Sequence, residues 1–163
     1  MSDINIDSLA RLITRGGIYY DVGGNNRAEF MSDFIGRLTA LPPEKKQALF
    51  QAVMEREALM STGMEKGIAL PHPRTPMLDD GEEPFAAIAF PLSPLDWDTP
   101  DNNKVHTVFL IVSKSPKQHL GVLSGINVLC RDEIFFPLLS KQAEKDKIIA
   151  AIEKAEKNWG ENG

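Results

Sequence analysis

One cysteine, Cys130, in a chain of 163 residues excludes an intrachain disulfide framework and any cysteine-rich zinc site. Basic charge is also short: Lys plus Arg number 18 against 23 Asp plus Glu, giving a net charge of −5 and a pI near 5.2. A nucleic-acid binder usually rests its affinity on a basic face, so no nucleic-acid partner is expected, whereas a basic protein partner suits the acidic balance. Long apolar runs are missing as well. The longest, 85–90 and 108–112, fall far short of the roughly 20 residues of a membrane span, so no direct membrane insertion is expected. Residues 1–8 lack a basic segment followed by an apolar core, so no secretory signal is read and the expected location is cytoplasmic. Neither GxxxxGK[ST] nor GxGxxG occurs, which argues against a kinase acting on ATP; no cofactor is expected. There are only three histidines, His72, His106 and His119, and no ligand-like pair of them lies on one helical turn, so no metal site is expected either.

What is present is the balance of a globular domain, 42% hydrophobic and 25% charged. A short helix is expected with Asp7 as N-cap, Leu9, Leu12 and Ile13 apolar, and Gly16-Gly17 at its end. Ile18–Val22, β-branched and aromatic, reads as a strand. Asn26 followed by Glu29 resembles a capping box, and Phe30, Phe34, Leu38 and Leu41 recur at helical spacing. Pro42-Pro43 breaks that helix and starts one running to about Leu59. After an irregular, proline-bearing segment around Ile68-Ala69-Leu70, strands are expected at 85–90 and 105–112, the second apolar at nearly every position, as burial on both faces requires. Ser115, Pro116 and Gln118 open a helix to about Cys130, and helical pieces follow at about 132–141, made irregular or short by Pro137, and 144–157. Helices flanking buried strands give the expected class: α/β, a single three-layer domain with a mixed β-sheet flanked by helices. It would span 1–163, with a core of about 6–155 and a frayed tail at 158–163.

Three residues stand out chemically. In Gly67-Ile68-Ala69-Leu70-Pro71-His72-Pro73-Arg74 an apolar run delivers one histidine between two prolines that restrict the backbone on both sides. His72 reads either as an exposed histidine in a proline-rich turn or as a held functional group. His119 lies in the first turn of the helix opened at Ser115, where free N–H groups favour an anion, yet it shares a stripe with Leu123, Ile126 and Cys130. It reads either as a core histidine or as a ring aimed at an anion. Arg56 continues the apolar stripe of Leu49 and Val53, and reads either as a snorkelling side chain or as a phosphate or carboxylate clamp. His106, at a strand mouth, is assigned no role, and Cys130 is read as a small core residue.

The ordered set Arg56-Glu57, Ser61-Thr62-Gly63, Gly67-Ile68-Ala69-Leu70-Pro71-His72 and His119-Leu120 resembles the enzyme IIA domains of the bacterial phosphoenolpyruvate-dependent phosphotransferase system. The likeness is to the fructose/mannitol and nitrogen-regulatory class and covers roughly residues 6–155; Leu95-Asp96-Trp97 and 105–112 resemble its loop and central strand. The resemblance implies a phosphotransferase component in which His72 accepts a phosphoryl group from the histidine-containing phosphocarrier protein. His119 would be the second active-site histidine and Arg56 the arginine beside it. The group would pass to a cysteine of an enzyme IIB, or serve a regulatory target protein in a nitrogen-type role, which a free-standing domain favours. Cys130, inside a helix, is not expected to be that cysteine. A regulatory interaction protein of the same fold, acting without catalysis, is the alternative. The chain departs from the family at Asp98, where glycine is common, at Asn102-Asn103-Lys104-Val105, where Gly-x-Pro-Val is common, at Pro73 and at Pro137.

Overall fold

A computed structural model describes residues 8–162. Its helices are α1 (Leu9–Gly16), α2 (Arg27–Arg37), α3 (Pro43–Leu59), α4 (Pro116–Cys130), α5 (Phe136–Ser140) and α6 (Lys145–Asn162). The strands β1 (Ile18–Val22), β2 (Ile68–Ala69), β3 (Phe85–Pro91) and β4 (Thr107–Val112) form a sheet of order β1-β3-β4-β2. The outer pairs, β1 with β3 and β2 with β4, are parallel, and the central pair β3 with β4 is antiparallel, so the sheet is mixed.

Every residue of β3 and β4 is buried, because helices cover both faces. Period-two alternation divides them cleanly. Ala86, Ile88, Phe90, Phe109 and Ile111 pack with α1, α4 and α6, whereas Ala87, Ala89, Val108, Leu110 and Val112 pack with α2 and α3. The result is three layers, α/β, as the alternation of strand and helix signals predicts.

Several boundaries differ from the sequence reading. The cap of α1 is Ser8, whose hydroxyl accepts from the Arg11 N–H; Asp7 lies outside the described residues. Asn26 caps α2 as expected, but the Glu29 carboxylate accepts from the Asn25 N–H at 2.9 Å, one residue before the cap. Helix α2 stops at Arg37, so Leu38 and Leu41 are buried by the connection that follows it. Strand β4 starts at Thr107; Val105 instead makes an isolated antiparallel bridge with Leu95. The piece expected at 132–141 is helical only over Phe136–Ser140, because proline lacks an N–H and is suited to a first turn. The tail expected to fray remains helical to Asn162, and Gly163 lies outside the described residues.

Two departures from the family pattern acquire a reason. Asp98 and Asn102 have φ of 56° and 61°. That left-handed region is open to glycine, and Asp and Asn are the side chains that tolerate it best. At Gly67 (φ 80°) glycine itself is required: an added Cβ would lie 2.5 Å from Cδ2 of His106. Gly67→Ala is expected to lower stability by about 2 kcal/mol, from backbone strain plus the clash, read as a reduced thermal midpoint.

Candidate functional site

Strand β2 is short because the chain is already turning towards its prolines, yet it is tied on both sides. Leu70 N–H donates to the Thr62 carbonyl at 3.1 Å, and Ile111 N–H donates to the Pro71 carbonyl at 3.3 Å. Pro71 and Pro73 are buried and His72 is half-buried between them. The Nδ1 of His72 lies 2.8 Å from the Leu70 carbonyl. A carbonyl oxygen can only accept, so Nδ1 carries the proton and Nε2 keeps its lone pair.

His119 comes from the opposite end of the sequence motif set. Ser115 caps α4, its hydroxyl accepting from the Gln118 N–H at 3.1 Å, and His119 N–H bonds to the Ser115 carbonyl at 3.0 Å. This sets the ring in the first turn, with its centroid 4.3 Å from that of His72 and the planes at 45°. Arg56, in the last turn of α3, donates from Nη1 to the Met60 carbonyl at 2.8 Å. Arg56, His72, Arg74, Ser113, Ser115 and His119 line one cleft of about 260 Å³. Of the two readings left open for each of His72, His119 and Arg56, the geometry therefore gathers all three side chains into one concave place.

Burial is the main cause that lowers the pKa of His72; the nearby Arg56 charge acts in the same direction, and the Leu70 hydrogen bond opposes them. Burial first, then the neighbouring His72 and Arg56, bring His119 from 6.5 down to about 4. Both rings are thus neutral near pH 7, each with one N–H and one free lone pair. The unfolded chain protonates these rings first, so acidification favours unfolding. His119 is expected to titrate near pH 4 in an NMR experiment, and its share of stability to decline as pH falls from 6.5 towards about 4.

Glu57, beside Arg56, is a buried residue whose role the local pattern did not show. It is 5% exposed, and its carboxylate accepts from the Thr62 N–H (2.9 Å), the Thr62 hydroxyl, Trp97 Nε1 (3.0 Å) and Arg27 Nη1 (3.2 Å). The chain of contacts runs on: Thr62 holds Leu70, and the Leu70 carbonyl holds the His72 ring. Helical spacing puts Glu57 on the buried face of α3 with Leu49 and Val53; only its charge makes it look like a surface residue, and the partners that satisfy it come from α2 and from distant loops. The acid ending an amphipathic helix just before a Thr-Gly turn was the available signal.

Arg74 and Ser113 were likewise passed over. Arg74 is exposed on the cleft rim, two residues beyond His72. Ser113 opens the polar run Ser113-Lys114-Ser115 after the apolar strand, and it alone of the three is buried.

His106 stands outside this group. Its Nε2 faces the Lys66 carbonyl at 3.1 Å and its Nδ1 the Thr107 hydroxyl at 2.7 Å, so the first carries the proton and the second accepts; the ring pins the Glu65–Gly67 turn. Cys130, the last residue of α4, is half-buried, and burial pushes its thiol up to about 12. A thiol so rarely ionised is a poor nucleophile. Among the described residues no three His, Cys, Asp or Glu side chains are grouped to hold a metal ion.

The family model described as phosphoenolpyruvate-dependent sugar phosphotransferase system, EIIA 2, matches residues 11–155. The nitrogen regulatory protein of Pseudomonas aeruginosa is 31% identical over 122 residues, covering 72% of this chain and 77% of that protein. The fructose-specific EIIABC component of Bacillus subtilis is 30% identical over 155 residues, 91% of this chain but 24% of that much longer protein. Among solved structures, nitrogen regulatory protein IIA-Ntr from Neisseria meningitidis superposes with a TM-score of 0.73 at 20% identity, over 88% of this chain and 97% of that one. The mannitol IIA of Escherichia coli gives 0.64 at 15% identity, over 85% and 96%. At these identities the two structures show a shared fold.

Proposed function

Since the chain belongs to the EIIA 2 family of the phosphoenolpyruvate-dependent sugar phosphotransferase system, we propose that it carries a phosphoryl group on Nε2 of His72. The donor is the histidine-containing phosphocarrier protein. The observation that carries this reading is the fixed ring: Nδ1 bonded to the Leu70 carbonyl, in tilted contact with His119, in a cleft reached by Arg56.

The transfer balances without outside proton or metal. The Nε2 lone pair forms a bond to phosphorus as the P–N bond to the carrier's imidazole breaks, and that ring leaves with the electron pair. Each ring keeps the proton on its other nitrogen. Positive charge developing on His72 is stabilised by the Leu70 carbonyl at Nδ1, and charge on the phosphoryl oxygens by Arg56 and the His119 ring N–H. In the onward step a thiolate of an enzyme IIB takes the phosphorus, P–S replaces P–N, and His72 returns to its neutral tautomer. Leu120, exposed in the cleft lining, and Met60, exposed where Arg56 bonds its carbonyl, supply apolar contacts for a docking protein.

The relatives carry both roles: the chain spans 71% and 77% of two proteins named nitrogen regulatory protein and 73% of one named fructose-specific EIIA component, and a regulatory role of the nitrogen type is the one we take first to the test. The reading sets the protein in the cytoplasm, and no helix among the described residues is long and apolar enough to cross a membrane. To test it, the protein is incubated with phosphoenolpyruvate, the first enzyme of the system and the phosphocarrier protein, and acid-labile phosphate is sought on His72. Absence of label on the wild-type protein rejects the carrier reading. Onward movement of label to an enzyme IIB from the same cell identifies transport; label that stays while a regulatory target binds one phospho-state identifies regulation.

A further inference from the structure

The lining of the cleft contains a buried polar side chain that the proposed chemistry has not used. Ser113 follows β4 directly and is 6% exposed, yet its hydroxyl has no hydrogen-bond partner among the described residues. Buried hydroxyls normally have partners, since desolvation without a replacement bond is unfavourable. Alternation along the strand puts Ser113 on the same side as Phe109 and Ile111, the side that α4 covers and from which His119 approaches. The parallel pairing of Ile68 with Thr107 and Ala69 with Val108 is prolonged by the bond from Ile111 N–H to the Pro71 carbonyl. That register brings β4 past His72 and ends it at the cleft, where Ser113 joins the lining. If packing alone decided this position, an apolar residue would continue the strand's pattern at no desolvation penalty.

We propose that Ser113 Oγ donates a hydrogen bond to a non-bridging oxygen of the phosphoryl group at His72. The inference rests on His72 being the phosphoryl acceptor. A transferring phosphoryl group spreads charge over three oxygens. Arg56 can serve one from the donors left after its bond to Met60, and the His119 N–H a second. Ser113 serves the third. Its O–H bond stays intact throughout, and no proton or phosphoryl group passes to it. With no protein partner among the described residues to compete for it, the hydroxyl is a preorganised donor of the kind that favours charge developing during transfer.

The test compares wild type, Ser113→Ala and Ser113→Thr, full-length and folded, in phosphorylation by the phosphocarrier protein and in binding of inorganic phosphate followed by NMR of the His72 and His119 rings. Ser113→Ala is expected to be phosphorylated about tenfold more slowly and to bind phosphate about tenfold more weakly, the scale of one hydrogen bond to a charged group. Its thermal midpoint is expected to stay level or rise, because an unpaired hydroxyl has been removed. Ser113→Thr keeps the hydroxyl and is expected to recover most of the rate. Wild-type rate and phosphate affinity in Ser113→Ala overturn the contact and leave the carrier reading standing. A lowered midpoint with unchanged phosphate affinity makes Ser113 a structural residue and likewise overturns it. A wild-type protein that takes no phosphoryl group overturns both.

Discussion

Replacement of His72 by alanine is expected to abolish phosphorylation, leaving no acid-labile label after incubation with phosphoenolpyruvate, the first enzyme and the phosphocarrier protein. The expected loss is total because Nε2 of His72 would itself form the bond to phosphorus, and neighbouring nitrogens are placed to assist instead. His119 lies with its ring centroid 4.3 Å away, but its lowered pKa and helix-start position suit a neutral donor to oxygen. His106 has both ring nitrogens engaged elsewhere. Arg56→Ala or His119→Ala, by contrast, removes charge stabilisation and is expected to slow transfer by about a hundredfold while His72 still takes label. The half-buried ring of His72 meets only the His119 ring and the Leu70 carbonyl two residues back, so the alanine variant should retain its circular dichroism and melting behaviour. Label persisting on His72→Ala would show that the acceptor lies elsewhere.

Glu57→Ala is expected to be the most destabilising single change near the site, by about 3 kcal/mol or more, lowering the thermal midpoint by about 10 °C. Its carboxylate is the shared acceptor for Thr62, Trp97 and Arg27. Removing it leaves the indole N–H and the Thr62 N–H buried without a partner, each a desolvation penalty in itself. Arg27 is partly exposed and can turn to water, so the orphaned neutral donors make up much of the expected loss. The damage should also reach the chemistry. Thr62 bonds Leu70, and Leu70 orients His72, so slackening at Glu57 reorients the ring whose Nε2 must align with phosphorus. Denaturant titration followed by the fluorescence of Trp97, fully buried against Glu57 in the native protein, measures the first effect; the phosphorylation rate under native conditions measures the second. Glu57→Gln retains one acceptor oxygen and should fall between the two. A Glu57→Ala protein as stable and as fast as wild type would remove the network from the account.

The elements were legible where the signal is local. Ile18–Val22 is the strand its composition predicts, Ser115 caps α4 through Gln118, and Pro43 begins α3. These depend on hydrogen bonds and dihedral preferences within a few residues, which are written directly in the order of the chain. Legibility failed where the chain bends between elements. Leu38 and Leu41 continue the helical period of α2, yet they are buried after the helix has ended, because tertiary contacts took up the apolar face. Pro137 does keep its helix short, as expected, but from within the first turn of α5.

The candidate site divides along the same line. The sequence by itself determined the acidic balance, the alternation that makes an α/β fold, and the proline-bounded segment that holds one histidine at the end of a short strand. Tertiary structure alone decided that His119 would meet His72, that Glu57 would lie beneath the site as a buried acceptor, and that Ser113 would end in the cleft. Those relations join residues far apart in the chain through the parallel pairing of β2 with β4 and the seating of α4 on the sheet. Which ring nitrogen of His72 is free was decided there too. The bond to the Leu70 carbonyl spans only two residues, but it forms because β2, Thr62 and the prolines hold that carbonyl against the ring. Spacing carries the preference of each residue; only closure of the sheet sets one residue's lone pair against another's proton.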